Sequence, residues 1–589
     1  MTSLVHYTIT PVSLGGHRFA VTVSVPNPQG EAVVLSLPTW IPGSYLVRDF
    51  SKHLGRVTAV SDGESLRVTK LDKSSWRVAP STSDVLVSYE VYAHDLSVRG
   101  AHLDTTHGFF NASSVFLSVE GLSNQSLTVD INPPTDAVHA ELTASWRVAT
   151  TLHRDGASEW GFGRFRAADY AELVDHPVEF GEFELVEFDV AGTPHYFVLS
   201  GTYRCDKKRL AKDAARICAT QVELIGELPE MERYLFLTRV EASGYGGLEH
   251  RACCALVCSR NSLPTDADTL TNEYRKFLGL VSHEYFHLWN VKRIKPAVFT
   301  PYELEGESYT ELLWVFEGIT SYYDDLAMVR SGVITERSYA ELLAETISRV
   351  RSAQGRHHQT LAESSFDAWT KFYKPDENTP NSVVSYYTKG AMVALGLDLT
   401  LRGVGDISLD HIMKELWTRF GKVDTGVPED GFEDLAAQVS GVHLRPFFDS
   451  VIRDVEEPDL EGLLGDMGWI LAPAPIDGAP VTSLGVTFVP GTTQIKTVSR
   501  DSCAEKSGLA SGDTLLAIDE LQVMADKPGA SLQPYTAGDS VKIHAFRRGT
   551  LMHFRVTLEK RPDTKWAITE APHASDKALA KRALWLHTD

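Results

Sequence analysis

His283-Glu-Tyr-Phe-His287 lies inside TNEYRKFLGLVSHEYFHLW, residues 271–289, a stretch with no proline and one glycine. Phe277, Leu280, Val281 and Leu288 recur at helical spacing, so the pentapeptide falls on an amphipathic helix rather than a loop. Imidazoles four residues apart share one helix face, one turn apart, and both can reach a single zinc ion. Glu284 is rotated by roughly 100° from His283. That puts a carboxylate beside the metal, where it can take a proton from a water that the metal activates. These three residue types at this spacing predict a zinc hydrolase.

Catalytic zinc of this kind takes two His, one acidic group and an open fourth position. Downstream, Ser308-Tyr-Thr-Glu311 has the form of a capping box. It opens a second predicted helix, ELLWVFEGITSYYDDLAMV, with Glu317 on the same face as Trp314 and Ser321. A carboxylate in so apolar a segment is the candidate third ligand.

The pattern W-x-x-E-G-x-T (Trp314, Glu317, Gly318, Thr320) after His-Glu-x-x-His resembles the gluzincin metallopeptidases. The strings HEYFHLWNVKRIKP and LLWVFEGITSYYDDL are similar to the glycyl aminopeptidase family, as is LPTWIPGSYLVRDFSKHL (Leu37–Leu54). The resemblance runs from there to about residue 470. It implies an aminopeptidase with one zinc per chain on His283, His287 and Glu317, with Glu284 as general base. It also implies a preference for N-terminal Gly and Ala. Gly244-Tyr-Gly246-Gly247-Leu-Glu249-His250 resembles the Gly-x-Met-Glu-Asn element of aminopeptidase N relatives. There Gly246 and Gly247 would let a substrate backbone approach and Glu249 would bind its free amine, with His250 departing from the usual Asn. Ser385-Tyr386-Tyr387-Thr-Lys389-Gly390 resembles the Y-x-K-G element, which makes Tyr387 the oxyanion donor and Tyr386 its packing neighbour.

Across 589 residues two to four domains are expected, making a multidomain α+β protein. Residues 1–182 alternate apolar and polar positions in short runs (HYTITPV, RFAVTVSVP, DVLVSYEVYA), the pattern of an all-β domain. In them Trp40-Ile-Pro-Gly-Ser-Tyr45 reads as a rigid packing turn, although the family places this domain beside the cleft. Residues 183–470 mix strands and helices and become helical from about 335, as in a thermolysin-like catalytic domain. Leu471–Pro480 is a Pro-rich linker. Beyond it, 481–561 resembles a PDZ domain. Ala504, Gly508, Leu509, Gly512 and Asp513 fit its A-x-x-x-G-L-x-x-G-D pattern, and Ser483-Leu-Gly-Val486 stands at the carboxylate-binding loop. Residues 562–589 form a tail with one short amphipathic helix and no evident function.

A net charge of −22 without a basic patch opposes nucleic-acid binding. No run of eighteen apolar residues predicts a membrane span, and no export signal is evident at the start. The six cysteines, three in RACCALVCSR, read as reduced core residues, which favours the cytoplasm. The expected partners are peptides with a free N-terminus and a peptide C-terminus at the PDZ-like domain. Two other readings compete: a PDZ-assisted zinc endopeptidase, and an inactive peptide-binding scaffold. Lys292, Arg293 and Lys295 read as caps of the zinc-helix dipole. Asp324 and Asp325 are candidates to orient a ligating imidazole. No candidate ligand follows the linker, so deleting 481–589 is expected to leave zinc binding intact.

Overall fold

The computed structural model describes residues 4–266 and 268–587. It is a multidomain mixed α/β protein that divides into two compact units. The first holds the chain up to residue 309 with 323–334 and 413–429; the second holds 310–322, 335–412 and 430–589.

The first unit begins all-β. An eight-stranded sheet includes Val5–Ser13, Arg18–Val25 and Val85–Tyr92, and two four-stranded sheets accompany it. Strict alternation turns Tyr7, Ile9, Val21, Val23 and Val87 into one core. Three tyrosine hydroxyls fasten a crossing segment to it. Tyr89 donates to Val115 O, Tyr170 to Phe116 O and Tyr7 to Leu117 O.

The same unit continues into a five-stranded mixed sheet, in the order Phe183–Val190, Thr193–Gly201, Tyr234–Glu241, Cys253–Ser259 and Tyr245–Glu249. The helices Lys207–Ile225 and Asn272–Phe286 belong to this part. Among the described residues Tyr245–Glu249 is the last strand of this sheet, so Gly246 and Gly247 lie on a strand edge.

The second unit is predominantly helical, with Glu336–Ser352 and Thr388–Val404 its longest helices. Its sequence contains an insertion. Trp469–Pro473 pairs antiparallel with Trp566–Glu570, and Ala474 N donates to Lys565 O, so residues 474 and 565 are neighbours. Everything between them leaves and returns at one point. That segment has its own apolar core around Ile495, Leu515, Ile543 and Val556 and a four-stranded sheet. Asn381 joins it to the helices, with Nδ2 donating to Val498 O and Oδ1 accepting from Arg500 N.

The tail helix, read from the sequence as having no evident function, packs into the second unit. Asp576–Leu586 is a helix whose Trp585 is fully buried. The Trp585 ring packs edge-on against Trp469 and Tyr339, and its Nε1 donates to Tyr322 Oη at 2.9 Å. The amphipathic pattern shows such a helix but cannot show the face that receives it.

Candidate metal centre and active site

Thr271 caps the motif helix by accepting from Tyr274 N. Phe277, Leu278 and Val281 bury its inner face. His283 and His287 emerge one turn apart with their Nε2 atoms 3.0 Å from one another. His283 Nδ1 faces Asp324 Oδ2 at 3.0 Å, and His287 Nδ1 faces Asn290 O at 2.7 Å. A carboxylate and a carbonyl can only accept, so each Nδ1 carries the proton. Two Nε2 lone pairs then point at one another, an arrangement that favours a shared cation. Tetrahedral zinc with Zn–N near 2.05 Å would hold its nitrogens about 3.3 Å apart. The donors therefore fit such an ion, and Asp324 orients the first imidazole. Burial raises the Asp324 carboxyl, with the His283 interaction opposing.

Glu284 and Glu249 are buried, at 5% and 3% exposure. With His287 they present ligand-type atoms all within 4.8 Å of one another. Gly247 makes this packing feasible, because a Cβ there would collide with the Glu284 carboxylate. Gly247 and Glu249 lie two apart on the strand and so face the same way.

Glu249 is also met from a turn in the N-terminal part. Gly43, at φ +92°, abuts its carboxylate and leaves no space for a Cβ. The surrounding loop is pinned by Trp40 Nε1 donating to Glu303 O at 2.8 Å and by Tyr45 stacked on Phe299. The Trp40–Tyr45 turn is thus a packing element, as expected, and what it packs on is a candidate substrate-binding group.

Lys292 does not behave as a solvated dipole cap. It is 3% exposed, and its Nζ sits 2.7 Å from Asp175 Oδ1. His250 Nδ1 approaches the same oxygen at 3.3 Å. Burial alone would raise the Asp175 carboxyl, but Lys292 and then His250 hold it well below the usual range. Burial likewise opposes the charge on Lys292, and Asp175, Tyr302 and Glu249 outweigh it. The ion pair lies within electrostatic reach of Glu249. Nothing in VKRIKP marks which lysine turns inward. Arg293 remains a partial cap, donating to Leu288 O and Arg251 O, and Lys295 pairs with Asp424.

In the second unit Glu317 sits in a π-helical turn, Trp314–Gly318, and is 1% exposed. Such turns widen the helix and often present functional side chains. Gly318 crosses Gly390 so closely that neither admits a Cβ. This brings the turn against the start of the Thr388–Val404 helix, where Tyr387 is the N-cap residue. Burial first, then the Glu317 charge, raises the Tyr387 hydroxyl well above its usual value. Tyr386 is fully buried and Tyr387 only partly so. Both hydroxyls meet that of Tyr373, at 3.1 and 2.9 Å. Lys389 is buried and donates to Val455 O, and burial pushes its amine down to about 8.

Another metal-capable group, His102, Asp104 and His107, lies in the N-terminal sheets. His102 Nε2 is 3.9 Å from Asp104, the two Nδ1 atoms are 3.1 Å apart, and His107 Nε2 is 3.6 Å from Glu179. Burial pushes Glu179 up to about 8 and His102 down to about 4. Of these three contacts only the one between the two Nδ1 atoms is short enough for a hydrogen bond.

Two family models match the chain: the Peptidase M61 N-terminal domain over residues 6–182 and M61 glycyl aminopeptidase over 276–393. The second spans both histidines, Glu317 and Tyr387. A crystal structure of an aminopeptidase N family protein from Idiomarina loihiensis is 40% identical, covers 99% of this chain and 100% of its own, and superposes with a TM-score of 0.93. An M1 zinc metallopeptidase variant from Deinococcus radiodurans, bound to the peptide Tyr-Ser-Ala, is 14% identical over 78% of this chain and 95% of its own, with a TM-score of 0.49. No curated protein matches. With a full-length relative at that identity and a matching model over the histidine helix, the chain belongs to the M61 glycyl aminopeptidase family and is a metallopeptidase.

Proposed function

We propose that the protein is a zinc aminopeptidase acting on peptides with a free N-terminal Gly or Ala. The observation that carries this is the histidine pair, with both Nδ1 protons committed to acceptors and both Nε2 atoms 3.0 Å apart. His283, His287 and Glu317 hold one zinc. When bound, the ion acts as a Lewis acid that polarises a carbonyl and acidifies a water. Glu284 takes the proton of the attacking water and returns it to the leaving amine. Glu249 holds the substrate ammonium, while the Gly246–Gly247 edge receives its backbone. Tyr387 donates to the oxyanion as charge develops there. The family's description as glycyl aminopeptidase supports the small N-terminal residue.

Residues 1–182 are proposed as the N-terminal domain, 183–470 as a thermolysin-like catalytic domain, and 481–561 as an inserted PDZ domain. A cavity of about 160 Å³ lined by Leu484, Val486, Phe488 and Leu532 supports the last, as a groove for a peptide C-terminus. Among the described residues all six cysteines are free and no helix is long and apolar enough to cross a membrane, which supports a cytoplasmic site. A PDZ-assisted endopeptidase is the second reading, favoured by Asn381 joining the insertion six residues before Tyr387.

The test compares free-amine peptides with their N-acetylated forms, alongside metal analysis. One zinc in the wild type, its loss in Glu317→Ala, and preference for the free amine are expected. In Glu284→Gln the zinc should stay and most turnover should go. Faster cleavage of acetylated peptides would transfer the assignment to the endopeptidase.

A further inference from the structure

Arg99 lies in the turn between the strands Val85–Tyr92 and Ala101–Leu103 and reaches the strand that carries Glu249. Its Nη2 donates to Gly247 O at 2.9 Å, and Nη1 lies 3.8 Å from where a Gly246 Cβ would be. The side chain is half-buried, and among the described residues it forms no ion pair. A guanidinium offers five N–H donors, and one carbonyl uses one of them. Its position is informative, because among the described residues Tyr245–Glu249 is the last strand of its sheet.

We propose that Arg99 is the anchor for the C-terminal carboxylate of short peptide substrates, making the cleft a di- and tripeptide site. The inference rests on the aminopeptidase reading, in which the substrate ammonium sits on Glu249. A peptide added along the edge then runs from Glu249 past Gly247 toward Tyr245. Gly247 lies two residues from Glu249, about 7 Å along a strand. An extended dipeptide spans about 7 Å and a tripeptide about 10 Å. Either one brings its terminal carboxylate to the Gly247–Gly246 segment, where the guanidinium waits. A longer chain would have to pass Arg99 with no charge to offer it. Fork-like pairing with a carboxylate is the strong form of this contact, and lysine does not reproduce it.

The experiment measures kcat/KM for trialanine and for trialanine amide in the zinc-loaded wild type, Arg99→Gln and Arg99→Lys. The wild type should favour the acid by about tenfold or more. In Arg99→Gln the acid-to-amide ratio should fall toward one, chiefly through KM for the acid, and Arg99→Lys should keep part of it. A wild-type ratio near one, or a ratio that Arg99→Gln leaves intact, overturns the proposal and leaves Arg99 as a clamp on Gly247. N-acetyl-trialanine separates the two ideas. Its cleavage at the rate of trialanine would sink the aminopeptidase reading, while the ratio still decides the role of Arg99. Should turnover be too slow to measure, calorimetric Kd values for the same acid and amide, on zinc-loaded Glu284→Gln protein with and without Arg99→Gln, give the same ratio.

Discussion

The backbone of Gly43 lies directly against the carboxylate of Glu249, 206 positions later in sequence, where a turn of the N-terminal part packs on the edge strand. Gly43 has φ +92°, in the left-handed region that side chains rarely adopt. Gly43→Ala should therefore strain the turn and push Glu249 aside. Displacing a binding group by about 1 Å costs on the order of a hundredfold. We expect kcat/KM for free-amine peptides to fall by about tenfold to a hundredfold with zinc content unchanged. Loss of metal instead would mean that the loop supports the histidine helix rather than the amine site.

Tyr386 and Tyr387 share Tyr373 as hydroxyl partner but differ in exposure, so their roles separate experimentally. Tyr387→Phe should lower kcat by about 10²–10³ with little change in KM, the usual cost of one oxyanion donor. Tyr386→Phe should cost stability and only a few-fold in kcat. Steady-state kinetics of the two variants decides the matter, and the reverse ranking would reassign the donor.

Deleting residues 481–589 should not leave the metal site intact, contrary to what the sequence suggests. The deletion removes Trp566–Glu570 and the fully buried Trp585 along with the insertion. Trp585→Ala alone should cost about 3–5 kcal/mol. Joining residue 474 to 565 through a short turn should instead preserve the fold, since those residues already hydrogen-bond. Thermal melts and zinc analysis of the two deletions make the comparison. Equal stability would show that the tail is dispensable.

Glu179 gives stability an unusual pH dependence. Burial raises its folded pKa to about 8 from the ordinary value of 4.5, so the folded state keeps a proton that the unfolded chain releases. Its favourable contribution is complete below pH 4.5 and is lost as pH rises to about 8. Glu179→Gln cannot ionise and escapes that loss. The melting temperature of the variant, relative to the wild type, should thus rise between pH 5 and 8.5. A difference that is flat or falls with pH would show that Glu179 is ionised in the fold.

The sequence makes the histidine helix legible because its three chemical residues and its apolar stripe obey one period. Glu317 is legible as a residue but not as part of a π turn, since its helix has the same composition either way. Asp324 stands among the candidates, yet only coordinates separate it from Asp325. The inward turn of Lys292 onto Asp175 has no local signature, because partners over a hundred residues apart leave no spacing to read. Arg99 and Gly43 are invisible for the same reason: each acts from a turn on a strand far away in sequence. The insertion is hidden because a domain and a tail read in order look like two successive pieces.

The hairpin of Trp469–Pro473 with Trp566–Glu570 sets an order of events during synthesis. On the ribosome, the first strand waits unpaired while the intervening segment, which has its own core, is made and folds. Only afterwards do the second strand and Trp585 emerge to cover Trp469 and Tyr339. The helical unit is thus sealed late. A nascent chain stalled in the insertion would display an uncovered apolar face, the kind of surface that chaperones and proteases recognise.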